Sequence, residues 1–155
     1  MSVASLLEEY AAGPKLLRQS VRGLTPDQLA AHPVPGTWSV LEVVCHVADF
    51  ETISSDRMKL VVALQEPRLP GYDETLFAAR LRYDARDLEE ELAVIESVRR
   101  STTRILRSLP PEAFARKGVH SEAGPLTLEQ FLARAAGHLP HHVRFIDEKR
   151  RALGV

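Results

Sequence analysis

The feature that most constrains the fold is a set of helix start signals, each followed by a long stretch with apolar residues at helical spacing. In such a signal, the side chain of the first residue accepts a hydrogen bond from a backbone N–H in the first turn of the helix. An acidic or amide side chain three residues later accepts one from the backbone N–H of that first residue. The pairs are Ser39 with Glu42, Asp87 with Glu90, and Thr127 with Gln130. They predict helices over about 39–64, 87–109 and 127–153, and prolines follow the first two.

Two further helices are expected before residue 39. Apolar residues recur at helical spacing through about Val3–Val21, which predicts a first long helix. Pro14 lies inside this range and lacks a backbone N–H, so the helix is expected to be kinked or to start late. Thr25 followed by Pro26 predicts a short helix, because the first residue can cap it and the second suits its first turn.

The remaining segments contain few strand signals. Tyr72–Tyr83 is expected to be a connection with some helical character. No segment alternates convincingly between apolar and polar residues, and Ala115–His120 is the best of the weak strand candidates. We therefore expect an all-α four-helix bundle, formed by residues 1–155 as a single domain. The long connections allow either a simple up-down order or an up-down-down-up order.

Composition argues against several functions. The formal net charge of the 155 residues is -1, so there is no basic surplus to favour nucleic acid or an anionic membrane surface. No apolar run approaches the roughly 20 residues that span a bilayer, and the first residues do not follow the signal-peptide pattern. The single cysteine, Cys45, cannot form a disulfide within the chain. We expect a cytoplasmic protein that binds neither nucleic acid nor membranes.

Three of the six histidines fall at inward positions of predicted helices. His138 and His142 are four residues apart and so lie one turn apart on one face, whereas His141 points more toward solvent. His46 stands among apolar residues at helical spacing and is expected to face inward as well. Three neutral imidazoles from two helices suit Zn, Ni or Fe(II), and they leave a coordination position for water or substrate.

Each histidine also has an ordinary interpretation. An inward histidine is more often a hydrogen-bonded core residue than a metal ligand, and a spacing of four also arises by chance. His138 with His141 is an alternative ligand couple. His32, in a proline-rich loop, and His120, near a glycine, are expected at the surface. Pro140 removes one backbone hydrogen bond from the last helix, which either shapes a site or merely kinks the helix.

Several segments resemble the DinB-like superfamily. Gly36–Glu42 followed by His46–Asp49 is similar to the second-helix motif of that family, and Gly137–His142 is similar to its last-helix motif. Pro70–Glu74 and Thr127–Gln130 are similar to the YfiT-like branch, whose members are described as metal-dependent hydrolases. The order and spacing of these segments carry the resemblance, which spans nearly the whole chain.

The resemblance implies a four-helix bundle, often a homodimer, with a three-histidine site for a divalent metal. Residue by residue, the family's ligands fall on His46, His138 and His142, in agreement with the helix faces described above. Pro140 and Phe145 differ from the polar residues often seen around the last-helix motif. The resemblance therefore says little about the substrate pocket.

An enzyme that acts on a small molecule follows as the first expectation. The reaction is either metal-dependent hydrolysis or the transfer of a low-molecular-weight thiol to an electrophile. Asp49, three residues after His46, is the expected catalytic carboxylate or a hydrogen-bond partner of a ligand imidazole. Asp73 and Glu74 are further candidates. Cys45 points about 100° away from His46 around the helix and is expected to be a packed residue, not a nucleophile.

Two other functions stay open at this point. The first is a non-catalytic, stress-associated protein in which the metal ion stabilises the bundle. The second is nucleic-acid binding, which the family name suggests because it derives from DNA damage induction. The balanced charge and the lack of a basic stripe disfavour the second.

Overall fold

Four long helices dominate the computed structural model, which describes residues 2–155. The helices in chain order are α1 (Val3–Val21), α2 (Pro26–Ala30), α3 (Val40–Ala63), α4 (Glu74–Arg80), α5 (Leu88–Arg107) and α6 (Leu128–Leu153). Short 3₁₀ helices occupy Tyr83–Ala85 and Pro111–Ala115. The prediction of an all-α four-helix bundle is confirmed, and the ends of the long helices lie within two residues of the expected ones.

All three predicted start signals form caps, but at α5 only Asp87 Oδ1 accepts a hydrogen bond, from Glu90 N at 3.0 Å, so the predicted reciprocal bond to the Glu90 side chain is not observed there. Ser39 Oγ accepts a hydrogen bond from Glu42 N at 3.2 Å, and the Glu42 carboxylate accepts one from Ser39 N at 2.6 Å. The same reciprocal pair joins Thr127 and Gln130 at the start of α6. Each cap satisfies backbone N–H groups that have no partner inside the helix. These caps therefore define where α3 and α6, the helices with the candidate histidines, begin.

The long helices form a ring in which each packs against two others. Both α1 and α3 pack against α5 and α6, so α1 lies diagonally across from α3. Two ion pairs show that α1 is antiparallel to α5: Arg18 near the end of α1 pairs with Glu96, and Glu8 near its start pairs with Arg107.

In contrast, α3 runs parallel to α5. Asp49 in the first half of α3 pairs with Arg86 just before α5, and further along Ser55 and Thr102 place their hydroxyl oxygens 2.7 Å apart. The residues just before α3 contact the end of α6, so these two helices are antiparallel. The order is therefore up-down-down-up, one of the two orders that the connections allow. It makes α3 and α6 direct neighbours.

A small sheet is present that the sequence does not predict. β1 (Arg68–Leu69) pairs in parallel with β2 (Lys117–His120), and β2 pairs antiparallel with β3 (Gly124–Thr127). Only β2 falls within the weak candidate Ala115–His120, so the expectation of no further strands is wrong. Strands of two to four residues are too short to show alternation. The sheet joins the α3–α4 connection to the α5–α6 connection.

Pro14 lies inside α1, which runs without a break from Val3, so the expected late start is not observed. A proline at this position leaves the carbonyl of Tyr10, four residues earlier, without its helical donor. Arg99 Nη1 of α5 donates a hydrogen bond to that carbonyl oxygen at 2.8 Å. Gly13 permits this approach, because a Cβ there would overlap Arg99 Nη1.

Two apolar clusters fill the bundle. The first includes Leu6, Met58, Leu106, Phe131 and Leu132, and the second includes Leu17, Val43, Ile95, Leu139 and Ile146. A buried ion pair lies between them, in which Arg99 Nη2 of α5 is 2.5 Å from Glu51 Oε1 of α3. Within residues 2–155, no helix combines the length and the apolar character needed to cross a membrane.

Candidate metal centre

Three histidine side chains converge between α3 and α6, and we call them the imidazole cluster: His46, His138 and His142. His46 comes from the second turn of α3, and the other two come from successive turns of α6. His138 Nε2 lies 3.2 Å from His46 Nε2 and 3.1 Å from His142 Nε2. All three ligand atoms lie within 4.8 Å of one another, so the structure brings the three predicted residues together.

The spacing of these nitrogens suits a metal ion better than a set of hydrogen bonds. A neutral imidazole nitrogen carries either one hydrogen or one lone pair, so His138 Nε2 would have to use the same one for both neighbours. Nitrogens about 2.0–2.1 Å from a tetrahedral Zn²⁺ lie roughly 3.3 Å apart, which is close to the two separations observed. The imidazole cluster is therefore a donor set that could hold a divalent metal.

Burial keeps the three imidazoles neutral. Burial, together with the neighbouring His142 and His46, lowers the pKa of His138 to about 2. Burial also lowers the pKa of His142 to about 3 and lowers that of His46. Neutral imidazole is the form that binds a metal ion. Protons therefore do not compete for these nitrogens near neutral pH.

Packing holds the imidazole rings in place. Phe50, one turn after His46 on α3, stacks on His138 with ring centroids 3.5 Å apart and an interplanar angle of 11°. Trp38, just before α3, contacts the ring of His46 with centroids 5.0 Å apart. Among residues 2–155, none hydrogen-bonds the Nδ1 atoms of the imidazole cluster, although metal-binding histidines usually donate this hydrogen to a protein oxygen. Aromatic contacts therefore orient the rings.

The other three histidines lie outside the imidazole cluster. His141 is exposed and packs edge-on against His142 and Phe145, as the helix faces predict. His32 is also exposed. His120 is only 8% exposed, so its expected surface position is wrong. Pairing of β2 with its neighbours buries it, and its Nδ1 accepts backbone hydrogen bonds from the turn that follows.

The candidate carboxylates differ in their distance from the imidazole cluster. Asp49 accepts hydrogen bonds from the Tyr83 hydroxyl at 2.8 Å and from Arg86 Nη1 at 3.1 Å, so both of its oxygens are occupied. Its predicted catalytic role stays a prediction. Asp73 caps α4, and the next residue, Glu74, places Oε2 3.7 Å from His46 Nε2. Glu74 is thus the candidate carboxylate that reaches the imidazole cluster.

Cys45 is fully buried, and its Sγ lies 3.6 Å from the Tyr83 carbonyl oxygen. Burial raises the pKa of its thiol to about 12, so the thiolate is scarce at neutral pH. The residue is packed, as its position around the helix predicts.

Two cavities open at the imidazole cluster, and His138 and Glu74 line both of them. The α6 cavity, of about 750 Å³, follows the last helix; its wall includes Thr37, Trp38, Val43, Phe145 and Lys149. The sheet-side cavity, of about 250 Å³, is bounded by Arg57, Tyr72, His120 and Glu122, among others. The larger cavity has the volume of a site for a small organic molecule.

Sequence reasoning did not identify two of these lining residues. Lys149 follows His142 by seven residues and so lies on the same face of α6, a spacing that could have revealed it. Arg57 reaches the sheet-side cavity only because β1 and the following loop fold back beside α3, where its guanidinium donates to the Pro70 carbonyl. No local pattern signals that contact.

The three-histidine geometry of the imidazole cluster agrees with the similarity of this chain to a family that includes proteins named as metal-dependent hydrolases. The model of the DinB superfamily matches residues 9–146. The chain belongs to the DinB superfamily. YfiT of Bacillus subtilis is 31% identical over 150 residues, which cover 96% of this chain and 83% of that protein. A relative from Oceanobacillus iheyensis, named as a candidate metal-dependent hydrolase, is 30% identical over 86% of this chain and 77% of its own length.

Two solved structures place this DinB superfamily member among four-helix bundles. The structure of B. subtilis YfiT, described as a probable metal-dependent hydrolase with an unusual four-helix bundle topology, superposes with a TM-score of 0.92. It is 28% identical, with 99% of this chain and 90% of that one covered. A four-helix bundle protein named TT2238 has a TM-score of 0.65 at 24% identity, with 95% of this chain and 99% of that one covered. The second likeness concerns the fold alone.

Proposed function

We propose that this protein is a metal-dependent enzyme that binds one divalent ion through His46, His138 and His142 and hydrolyses a small molecule. The observation that carries the proposal is the convergence of three neutral imidazole nitrogens, of which those of His138 and His142 belong to residues that line a cavity of about 750 Å³. Relatives named as metal-dependent hydrolases support it. Three nitrogen ligands favour Zn, Ni or Fe over Mg or Ca, which prefer oxygen ligands.

The residues around the imidazole cluster take distinct parts in this proposal. An ion held by the imidazole cluster would supply Lewis acidity at the reacting bond of the substrate. Glu74, 3.7 Å from His46, is close enough to accept a proton from a water molecule held between it and the substrate. Asp49 acts more indirectly: its bonds to Tyr83 and Arg86 hold the α4–α5 connection against the helix that carries His46.

Transfer of a low-molecular-weight thiol is the other reaction that such a site supports. The ion would stabilise the thiolate, and the walls of the α6 cavity would hold the second substrate. A purely structural ion is the non-catalytic alternative, and it predicts that the bundle unfolds when the ion is removed. The two apolar clusters and their capped helices favour a bundle that remains folded without it.

The first test is metal stoichiometry measured by elemental analysis of three purified proteins. We expect one ion per native chain and per chain of His141→Ala, and a loss of more than about 100-fold in metal affinity for His138→Ala, because it removes a ligand. Equal loss in both variants would contradict the ligand assignment. Circular dichroism after chelation then separates a structural ion, which is needed for the fold, from a catalytic one.

Activity is tested on the loaded protein with a panel of small esters and amides and, in parallel, with thiol and electrophile pairs. We expect hydrolysis that depends on the added metal and falls by about 10²–10⁴ in Glu74→Gln, the range for loss of a general base. Turnover only in the presence of a thiol would replace hydrolysis by thiol transfer. Unchanged turnover in Glu74→Gln would remove that residue from the mechanism.

A further inference from the structure

A lysine is buried in the wall of the α6 cavity, beyond the residues assigned above. Lys149 is 2% exposed, although it carries a primary ammonium group. An ammonium has three hydrogens to donate, and this one donates a single hydrogen bond, to Thr37 Oγ1 at 3.1 Å. Buried charges are normally paired, so the missing partner needs an explanation.

No carboxylate of residues 2–155 forms an ion pair with this ammonium. The carboxylates whose charge acts on Lys149 are Glu148 and Glu42, and Glu42 already accepts the capping hydrogen bond from Ser39 N. Burial lowers the pKa of Lys149, and those two carboxylates oppose the shift without cancelling it. The ammonium therefore keeps unused capacity to bind an anion.

The position of Lys149 relates it to the imidazole cluster. It lies seven residues after His142 and eleven after His138, spacings that return to the same face of a helix. With a rise of 1.5 Å per residue, the ammonium-bearing residue is about 10 Å along the axis from His142. Phe145 lies between them on that face, and Trp38 and Val43 line the same cavity. The cavity thus has a donor set at one end, an apolar middle and a cation at the other end.

We propose that the α6 cavity binds a small, elongated carboxylic acid whose carboxylate pairs with Lys149 while its reactive end lies at the imidazole cluster. This inference rests on the proposed function, which supplies the metal at the reactive end. It adds a substrate class and a residue that determines specificity. The apolar middle suits an alkyl or aryl spacer of about 10 Å between the two ends.

The charge balance favours a carboxylate over a phosphate ester. The Lys149 ammonium donates one hydrogen to Thr37 Oγ1, so two hydrogens remain to satisfy a single negative charge by hydrogen bonds. A dianionic phosphate at Lys149 would bring a second negative charge near Glu148, which lines the same cavity. A monoanion is therefore the better match.

The experiment measures binding of two hydroxamates to the zinc-loaded protein by isothermal titration calorimetry. Octanedioic acid monohydroxamate has a metal-binding group at one end and a carboxylate at the other, whereas octanohydroxamic acid ends in a methyl group. We expect octanedioic acid monohydroxamate to bind about tenfold more tightly than octanohydroxamic acid, because its carboxylate can form a charge-assisted hydrogen bond with Lys149. The shorter butanedioic monohydroxamate cannot span the cavity and should show no such advantage.

Two variants with the same change of charge complete the test. Lys149→Met keeps the length of the side chain and should abolish the advantage of the carboxylate. Lys15→Met removes an exposed lysine in the groove between α1 and α5, on the opposite side of the bundle. This variant should keep the advantage of the carboxylate. Thermal melting of both variants verifies folding, and the chain-length comparison on the native protein needs no variant.

The outcomes distinguish a failure of this inference from a failure of the proposed function on which it rests. If neither hydroxamate binds more tightly to zinc-loaded than to metal-free protein, the proposed metal site fails. If both bind in a zinc-dependent manner with equal affinity, the metal site stands and the role of Lys149 is wrong. An advantage of the carboxylate that persists in Lys149→Met would also overturn the inference, because another cation would then hold the acid.

Discussion

Two groups of polar residues buried in the bundle interior differ in how their polar atoms find partners. The imidazole cluster lies between α3 and α6. The second group, the arginine cluster, consists of Arg99, Glu51 and the carbonyls of Tyr10 and Ala135. There Arg99 donates to Glu51 at 2.5 Å, to the Tyr10 oxygen at 2.8 Å and to the Ala135 oxygen at 2.9 Å, so it ties all four long helices together.

The difference lies in where the positive charge comes from. The arginine cluster contains its own cation, and the side chains of Arg99 and Glu51 are 0% exposed. The imidazole cluster contains three acceptor nitrogens and no cation, and it opens to two cavities. The first arrangement is complete within the chain and stabilises the fold. The second consists of neutral nitrogens beside two cavities, an arrangement that could accept a cation from solution, as the proposed function requires.

Removal of the internal cation should cause the largest change in stability. Arg99→Met leaves the Glu51 carboxylate buried without a partner, so we expect the free energy of unfolding to fall by about 3–5 kcal/mol. The double variant with Glu51→Leu should regain much of this loss, because no unpaired charge remains. Urea unfolding monitored by circular dichroism measures both. If Arg99→Met lowered the free energy of unfolding no more than the double variant does, the ion pair between Arg99 and Glu51 would not be what stabilises this part of the bundle.

A fall in pH should weaken the metal-free protein through the imidazole cluster. The pKa values of His138 and His142 are lowered to about 2 and about 3, whereas unfolded histidine titrates near 6.5. Below pH 6.5 the unfolded chain therefore binds protons that the folded chain does not. The free energy of unfolding should decrease as the pH falls from 7 to 5, by about 2 kcal/mol for each of the two residues.

Urea unfolding of chelator-treated protein at a series of pH values checks this dependence. His138→Gln should reduce the slope, and His141→Gln, which alters an exposed side chain, should leave it unchanged. A slope that survives in His138→Gln would place the acid-sensitive groups elsewhere in the chain.

Two helical glycines give the smallest effect, with opposite signs. Gly137→Ala in α6 adds a methyl group with nothing within 4 Å, so it should stabilise the protein by about 0.5–1 kcal/mol through helix propensity. Gly13→Ala in α1 gains the same propensity but forces its Cβ onto Arg99 Nη1. We expect it to destabilise the protein by roughly 1–3 kcal/mol, as overpacking does. Thermal melting of the two variants measures both changes in stability. If Gly13→Ala also stabilised the protein, Arg99 would be free to move away from the added methyl group.

The parts of this structure that the sequence predicts are those set by local chemistry. The caps at Ser39 and Thr127 mark where two helices begin, and the four-residue step from His138 to His142 puts both side chains on one face. The choice of His46 as their partner needed the family resemblance as well as the helix face. A single sequence contains no direct signal for contacts between residues 92 positions apart.

The features that were not predicted depend on such distant contacts. The sheet forms only when the segment after α3 meets the segment after α5, and it buries His120. Asp49 has a helical spacing that fits a catalytic role, but Arg86 and Tyr83 from a later connection occupy its oxygens. Glu74 is one of the two further candidates from the sequence, but residue spacing does not favour it over Asp73, because it reaches His46 only where α4 folds back across α3.

The up-down-down-up order has a consequence for how this protein matures on the ribosome. His46 belongs to α3, whereas His138 and His142 belong to α6, which is synthesised later. The antiparallel docking of α6 on α3 is therefore the step that assembles the three nitrogens, after loop closure over most of the polypeptide. A nascent or truncated chain that lacks α6 holds only His46, so under the proposed function high-affinity capture of a metal ion would mark a bundle in which α6 has docked.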